Sequence, residues 1–278
     1  MALKVLIAGG GIGGLTAACC LRKAGHAVEV FEQAPELAEI GAGIQLSANA
    51  MHVLNDLGLG MAIANLAVQP AAYVFRLHDS GEEVGRFALA DEHRRLNGAP
   101  YCQLHRADLH DLLAAKLREL KGVVHLRNRV VSYEDDTDGV RLRLSDDSNF
   151  RGDLLIGADG VKSVVRRQLA GPDNALYTGD AVHATLPYLA QGAAMAIEDA
   201  AVLARALNLR ETVADALQLY QRNRIGRTSR IVQGSDQNRT LFHMRDQNKL
   251  RRAFANRNEG AARNAWLYSY NPLTVQLC

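Results

Sequence analysis

The chain has 278 residues, 48% apolar and 22% charged, with a net charge of +2. That is an ordinary globular balance, enough for one large domain or two small ones. It supplies no global field for a nucleic acid or an anionic membrane. No run of about 18 apolar residues occurs, so no membrane span is expected. Cys19, Cys20, Cys102 and Cys278 fall at no metal-ligand spacing and read as reduced thiols of a cytoplasmic protein.

In chain order, residues 3–8 read as a buried strand. Their short apolar run meets glycines at once, which is unlike a secretory signal. Residues 13–24 read as a helix and 27–32 as a second strand, making a βαβ unit with parallel strands. A glycine-bearing loop follows over 41–47, then a helix over 48–57. Segment 70–88 reads as two strands joined at Asp79-Ser80-Gly81. A helix starts near Ala107, and strand-like runs follow at 123–126, 129–134, 139–145 and 153–158. From about 191 onward the pattern is helical. Arg222, Arg224, Arg227 and Arg230 lie close together on one predicted helix. Because acidic residues nearly balance basic ones, this stripe is expected to be a solvated face rather than an anion dock.

The most informative motif is Gly9-Gly10-Gly11-Ile12-Gly13-Gly14, a GxGxxG through Gly9, Gly11 and Gly14. A strand precedes it, a helix follows, and Glu32 closes the second strand. Gly9 permits the tight turn, Gly11 lets backbone approach a pyrophosphate, and Gly14 lets helix and strand pack closely. The helix N-terminus offers free N–H groups and a positive dipole end to phosphates. Glu32 suits a ribose diol and would repel a 2′-phosphate. FAD and NAD both remain open at this point, and NADP does not fit this slot.

Three later segments resemble the FAD-dependent aromatic hydroxylases, the single-component flavoprotein monooxygenases. Gly41-Ala42-Gly43-Ile44-Gln45-Leu46-Ser47 is similar to that family's loop beside the flavin. Asp153 to Gly160, ending in Asp159-Gly160 with Arg166 after it, is similar to the family's DG motif, implicated in FAD and NAD(P)H binding. The third, Gly179-Asp180 through Pro187 to Gly192-Ala193, is similar to the GD motif. Arg106 matches a family arginine that contacts the cofactor. The resemblance implies that Asp180 bonds the ribityl chain and that Pro187 packs beside the ring. It also implies that Gly192 and Ala193 aim helix N–H groups at the pyrimidine edge. The cofactor set implied is FAD, with NAD(P)H as co-substrate.

The join between the motifs departs from the family. Only Ser163 to Thr178 separates Gly160 from Gly179, where the family carries a large substrate sheet. Few polar candidates remain for catalysis. Gln191 either faces the substrate or caps a helix, and His183 is expected to be structural rather than a base. Asn49 is expected to cap the helix after it.

The expected fold is α/β: a Rossmann-like FAD-binding domain with a parallel sheet, a reduced antiparallel substrate sheet and a helical C-terminal tail. Residues 1–208 form the FAD-binding domain, with 70–88 the one candidate remnant of the substrate sheet, and 209–278 form the helical segment. The implied activity is hydroxylation of a small aromatic acid by a monomer or homodimer. The alternative is an internally deleted FAD-binding protein serving as an interaction module. A plain NAD-dependent dehydrogenase leaves the DG and GD motifs without a role.

Overall fold

The computed structural model of the protein describes residues 2–37, 41–170, 183–255 and 260–278. Its centre is a parallel sheet of β1 (Lys4–Ala8), β2 (Ala27–Phe31), β7 (Val123–His125) and β11 (Leu154–Gly157), in the order β11-β1-β2-β7. Four of the five residues of β1 are buried, as expected for a strand covered on both faces. Ile7 pairs with Val30 on one side and Ile156 on the other.

Successive side chains of β1 point to opposite faces. Val5 and Ile7 enter a helical layer, while Leu6 and Ala8 meet a second sheet. The helical layer holds α1 (Ile12–Lys23), α5 (Arg106–Glu119) and α7 (Gly192–Leu209), with α1 packed on the other two. The second sheet is antiparallel: β8 (Val130–Asp136), β9 (Gly139–Leu144) and β10 (Asn149–Gly152). Its Val130, Val140, Leu142 and Leu144 close on Leu6, Ala8 and Phe31.

The βαβ unit stands where the sequence placed it. Residues 41–47 do not form a plain loop: β3 (Gly43–Leu46) pairs antiparallel with β6 (Cys102–His105). Ile44 and Leu46 alternate into the core opposite Leu104 and Cys102, a period masked by the neighbouring glycines. The short elements α3 (Gly60–Leu66), α4 (Ala90–Asn97) and β10 were also missed. In β10 the only large apolar side chain is Phe150. The hairpin of β4 (Ala72–Arg76) and β5 (Glu83–Ala88) forms as expected around the Asp79–Gly81 turn.

After β3 comes α2 (Ala48–Asp56), and α6 (Val164–Ala170) follows β11. The C-terminal region is helical: α8 (Val213–Phe242), α9 (Gln247–Ala255) and α10 (Gly260–Tyr268). Thr212 caps α8 by accepting from the Asp215 N–H. Ala216, Leu219 and Tyr220 of α8 join the main core. Gly226, inside α8, has open space where a Cβ would stand. Gly226→Ala is therefore expected to stabilise the protein by about 0.5–1 kcal/mol, read as a higher urea midpoint. No described helix is long and apolar enough to cross a membrane.

Candidate functional site

The glycine turn leaves β1 at Gly9, whose φ is +103°. A Cβ there would stand 2.3 Å from the Ala158 carbonyl oxygen, and one at Gly14 would stand 2.0 Å from the Gly9 carbonyl oxygen. Only glycine fits either place, and the resulting cradle is lined by backbone. Glu32 braces the turn: one carboxylate oxygen accepts from the Gly10 N–H at 2.7 Å and the other from Ala34 N–H at 2.8 Å. Each oxygen keeps acceptor capacity for a further donor.

His110, unassigned from sequence, also holds this turn. Its Nε2 lies 2.8 Å from the Gly10 carbonyl oxygen, and the ring is buried. A carbonyl only accepts, so Nε2 carries the hydrogen. The signal was available, because His110 sits four residues after Arg106 and so shares its helix face.

The carboxyl ends of β1 and β11 and the start of α7 enclose a cavity of about 180 Å³. Gly11, Gly13, Arg106, Gly160, Gly192 and Ala193 line it. This is the crevice where the strand order of an open α/β sheet reverses, the usual ligand position for such sheets. Five residues singled out from widely spaced motifs thus share one wall. Gly43 lies beside this wall, paired with His105 next to Arg106, while Ile44 turns into the core. Arg106 packs along Gly41. Gly179 and Asp180 lie outside the described residues.

The DG carboxylate works locally. Asp159 accepts from the Ser163 hydroxyl and from the Val164 N–H at 2.6 Å, capping α6. Gly160 follows at φ +73° and lines the cavity. Arg166 donates back to the Val161 carbonyl oxygen at 2.7 Å. Asp159 and Arg166 thus shape the turn that presents Gly160.

Three expectations need correction, all in one buried network. Gln191 sits at the N-cap position of α7 but makes no side-chain cap bond and is 2% exposed. Its amide donates to Ser47 Oγ at 3.1 Å and accepts from Asn49 Nδ2 at 2.9 Å. Asn49 does not cap α2, because its amide also reaches Glu198. Glu198 meets Arg224 and Arg227, each at 2.7 Å, and Asp199 meets Arg224 at 2.6 Å. The arginine stripe is only in part a solvated face: Arg222 and Arg230 are exposed, whereas Arg224 is 2% exposed and Arg227 turns inward to Glu198. Net charge conceals this, since it counts charges without placing them. Burial alone would raise the Glu198 carboxyl, but the two guanidiniums outweigh it and hold it below its ordinary value. His183 is also buried, which lowers its pKa, and it lines neither cavity described here.

A larger cavity of about 790 Å³ lies against the 3-10 turn Pro187–Leu189. The β4–β5 hairpin, α4, α8 and α10 wall it, and Pro187 lines it. At one end Tyr101 donates to Gln45 Oε1 at 2.7 Å, and the Tyr73 hydroxyl meets both. His93 lies against the rings of Tyr101 and Tyr268, at 5.4 and 5.1 Å between centroids. Burial pushes the His93 pKa down to about 4. The folded state refuses a proton that the unfolded chain accepts below about pH 6.5, so stability falls as pH drops from there toward about 4. In urea titrations across this window, His93→Gln is expected to remove a slope of up to about 1.4 kcal/mol per pH unit.

Comparison with known families matches residues 2–176 and 171–235 to the FAD binding domain. The 3-hydroxybenzoate 6-hydroxylase of Polaromonas naphthalenivorans (strain CJ2) is 44% identical over 184 residues, 65% of this chain and 45% of that protein. The 6-hydroxynicotinate 3-monooxygenase of Bordetella bronchiseptica is 34% identical over 180 residues, 65% of this chain and 46% of that protein. The chain spans about half the length of the curated relatives it matches. Among solved structures, a variant of 2-methyl-3-hydroxypyridine-5-carboxylic acid oxygenase aligns with a TM-score of 0.78 at 22% identity, over 100% of this chain and 99% of that one. HpxO of Klebsiella pneumoniae, complexed with FAD and uric acid, aligns with a TM-score of 0.79 at 21% identity, over 96% of this chain and 95% of that one. These two likenesses show the fold.

Proposed function

We propose a reaction from one premise: the chain belongs to the FAD-binding family of flavin-dependent aromatic hydroxylases, and FAD is its cofactor. On that premise the protein hydroxylates a small aromatic acid, using NAD(P)H and O2. The observation that carries this reading is the meeting of Gly11, Arg106, Gly160, Gly192 and Ala193 around one cavity. The backbone cradle at Gly9 and Gly14, closed to any Cβ, fits a pyrophosphate that must approach main-chain N–H groups.

In this reading bound FAD supplies hydride acceptance from NAD(P)H and activation of O2. The chain's own residues do the rest. Gly9, Gly11 and Gly14 receive the pyrophosphate, and Glu32 accepts from the ribose. Arg106, Gly43 and Ile44 border the ribityl and ring portions. Gly179 and Asp180 take the ribityl hydroxyls, as the resemblance implies. Gly192 and Ala193, in the first turn of α7, offer N–H groups and the positive dipole end to the pyrimidine edge. Pro187, on the wall of the larger cavity, flanks the ring as the resemblance implies. Asp159, Gly160 and Arg166 form the turn over which NAD(P)H docks. Gln191 and His183 position backbone from buried sites rather than exchange protons. The aromatic acid occupies the larger cavity, with residues 1–208 holding the cofactor and 209–278 closing the substrate side.

The test is direct. Purified protein should show flavin absorption bands, and NADH oxidation should rise with 3-hydroxybenzoate while a hydroxylated product accumulates. Oxidation of NADH to NAD+ with all the consumed O2 reduced to hydrogen peroxide and no hydroxylated product would instead favour a second reading, an FAD-binding protein that does not hydroxylate. That reading is supported by the short DG-to-GD spacing and by coverage of 45% of the relatives' length.

A further inference from the structure

We propose that Arg230 is the anion anchor of the larger cavity, seating the carboxylate of an aromatic acid on its guanidinium. This rests on the substrate class proposed above and adds the residue that selects for charge.

Arg224, Arg227 and Arg230 follow one another at three-residue spacing on α8, so they lie along one face. The first two are committed inward. Arg224 holds Glu198 and Asp199, while Arg227 holds Glu198 and donates to the carbonyl oxygens of Trp266 and Leu267 at 2.9 and 2.8 Å. Arg230 lies one step beyond these acids. Among the described residues no carboxylate stands within salt-bridge distance of it. Its guanidinium carbon sits 3.8 Å from the centroid of the Trp266 ring, and both residues line the larger cavity.

Stacking fixes the plane of a guanidinium while leaving its N–H edge available, the arrangement suited to a planar carboxylate. The other charged residues on the cavity wall are already neutralised. Arg86 pairs with Glu83 at 2.7 Å, and Glu92 pairs with Arg95 at 2.8 Å. The cavity wall therefore carries one surplus positive charge among the described residues, set beside rings that accept an apolar body. Phe75, Phe87 and Tyr268 supply those rings. An anionic aromatic matches this wall, whereas its neutral amide matches only the rings.

Calorimetric titration of the FAD-loaded protein tests this with 3-hydroxybenzoate and 3-hydroxybenzamide. The wild type should prefer the acid. Arg230→Gln should bind the acid about tenfold more weakly and the amide within about twofold of wild type. Arg230→Lys, a point charge without the fork, should fall between. Raising ionic strength from about 50 mM to about 500 mM should erode the wild-type preference and leave Arg230→Gln unchanged. Acid binding by Arg230→Gln as tight as wild type would overturn the anchor, as would equal weakening of acid and amide. If the wild type binds neither ligand, the substrate class itself falls and takes the anchor with it. Binding of the acid that ignores Arg230 removes the anchor alone.

Discussion

Arg224→Ala is expected to cost about 3–5 kcal/mol of folding stability, enough to lower the urea midpoint sharply or leave the chain largely unfolded. Glu198 is fully buried and Asp199 nearly so, and Arg224 touches both. Removing the guanidinium takes an ion-pair partner from both Asp199 and Glu198 and leaves Glu198 with Arg227 and the Asn49 amide, in a buried site. The double variant Arg224→Met with Asp199→Asn should recover much of the loss. Glu198 then keeps Arg227, and the buried carboxylate charge at position 199, which has lost its Arg224 ion pair, is removed. Far-UV dichroism during urea unfolding reads both variants. An Arg224→Ala protein within about 1 kcal/mol of wild type would mean that the cluster is not a closed ionic unit. Acid gives a second reading. The Glu198 carboxyl is held below its ordinary value, so its stabilisation is complete above the usual carboxylate range and is lost as pH falls through the lowered folded value.

Gly14→Ala is expected to weaken FAD binding roughly a hundredfold, with a smaller loss of stability of about 1–3 kcal/mol. The added methyl would stand 2.0 Å from the Gly9 carbonyl oxygen, so the turn must move. Moving it displaces the N–H groups proposed to face the pyrophosphate and strains the Glu32 and His110 contacts to Gly10. Gly226→Ala, on α8 away from the turn and with open space for a methyl, is the control. Flavin fluorescence titration of apo-protein measures affinity, and dichroism confirms that each variant is folded. Equal affinity of Gly14→Ala and wild type would remove the turn from the cofactor site.

The parts legible in the sequence were those fixed by local rules. The βαβ unit declared itself because Gly9, Gly11 and Gly14 stand between a continuous apolar strand and a helix, an order with one common backbone solution. The β4–β5 hairpin was legible from its strand pattern and turn. Strand β3 was not, because Ile44 and Leu46 carry a two-residue period too short to register among glycines. Arg224 and Arg227 depart from the solvated face expected of the α8 arginines for another reason. Their partners, Glu198 and Asp199, lie on a different helix, and pairing between helices leaves no mark in composition. Asp159 and Gln191 were recognised as important, but their partners decide what they do. Ser163 and Val164 claim the first, and Ser47 and Asn49 the second.

Strand β1 is a partition common to two apolar layers, with Val5 and Ile7 looking into one and Leu6 and Ala8 into the other. Neither layer can breathe open without baring the opposite side of the same five residues. The amide hydrogens of Val5 to Ala8 should therefore be among the slowest in the molecule to exchange with deuterated solvent. The ligand-gripping turn is thereby tethered to the most persistent backbone in the fold, so its geometry outlasts the fraying of everything around it.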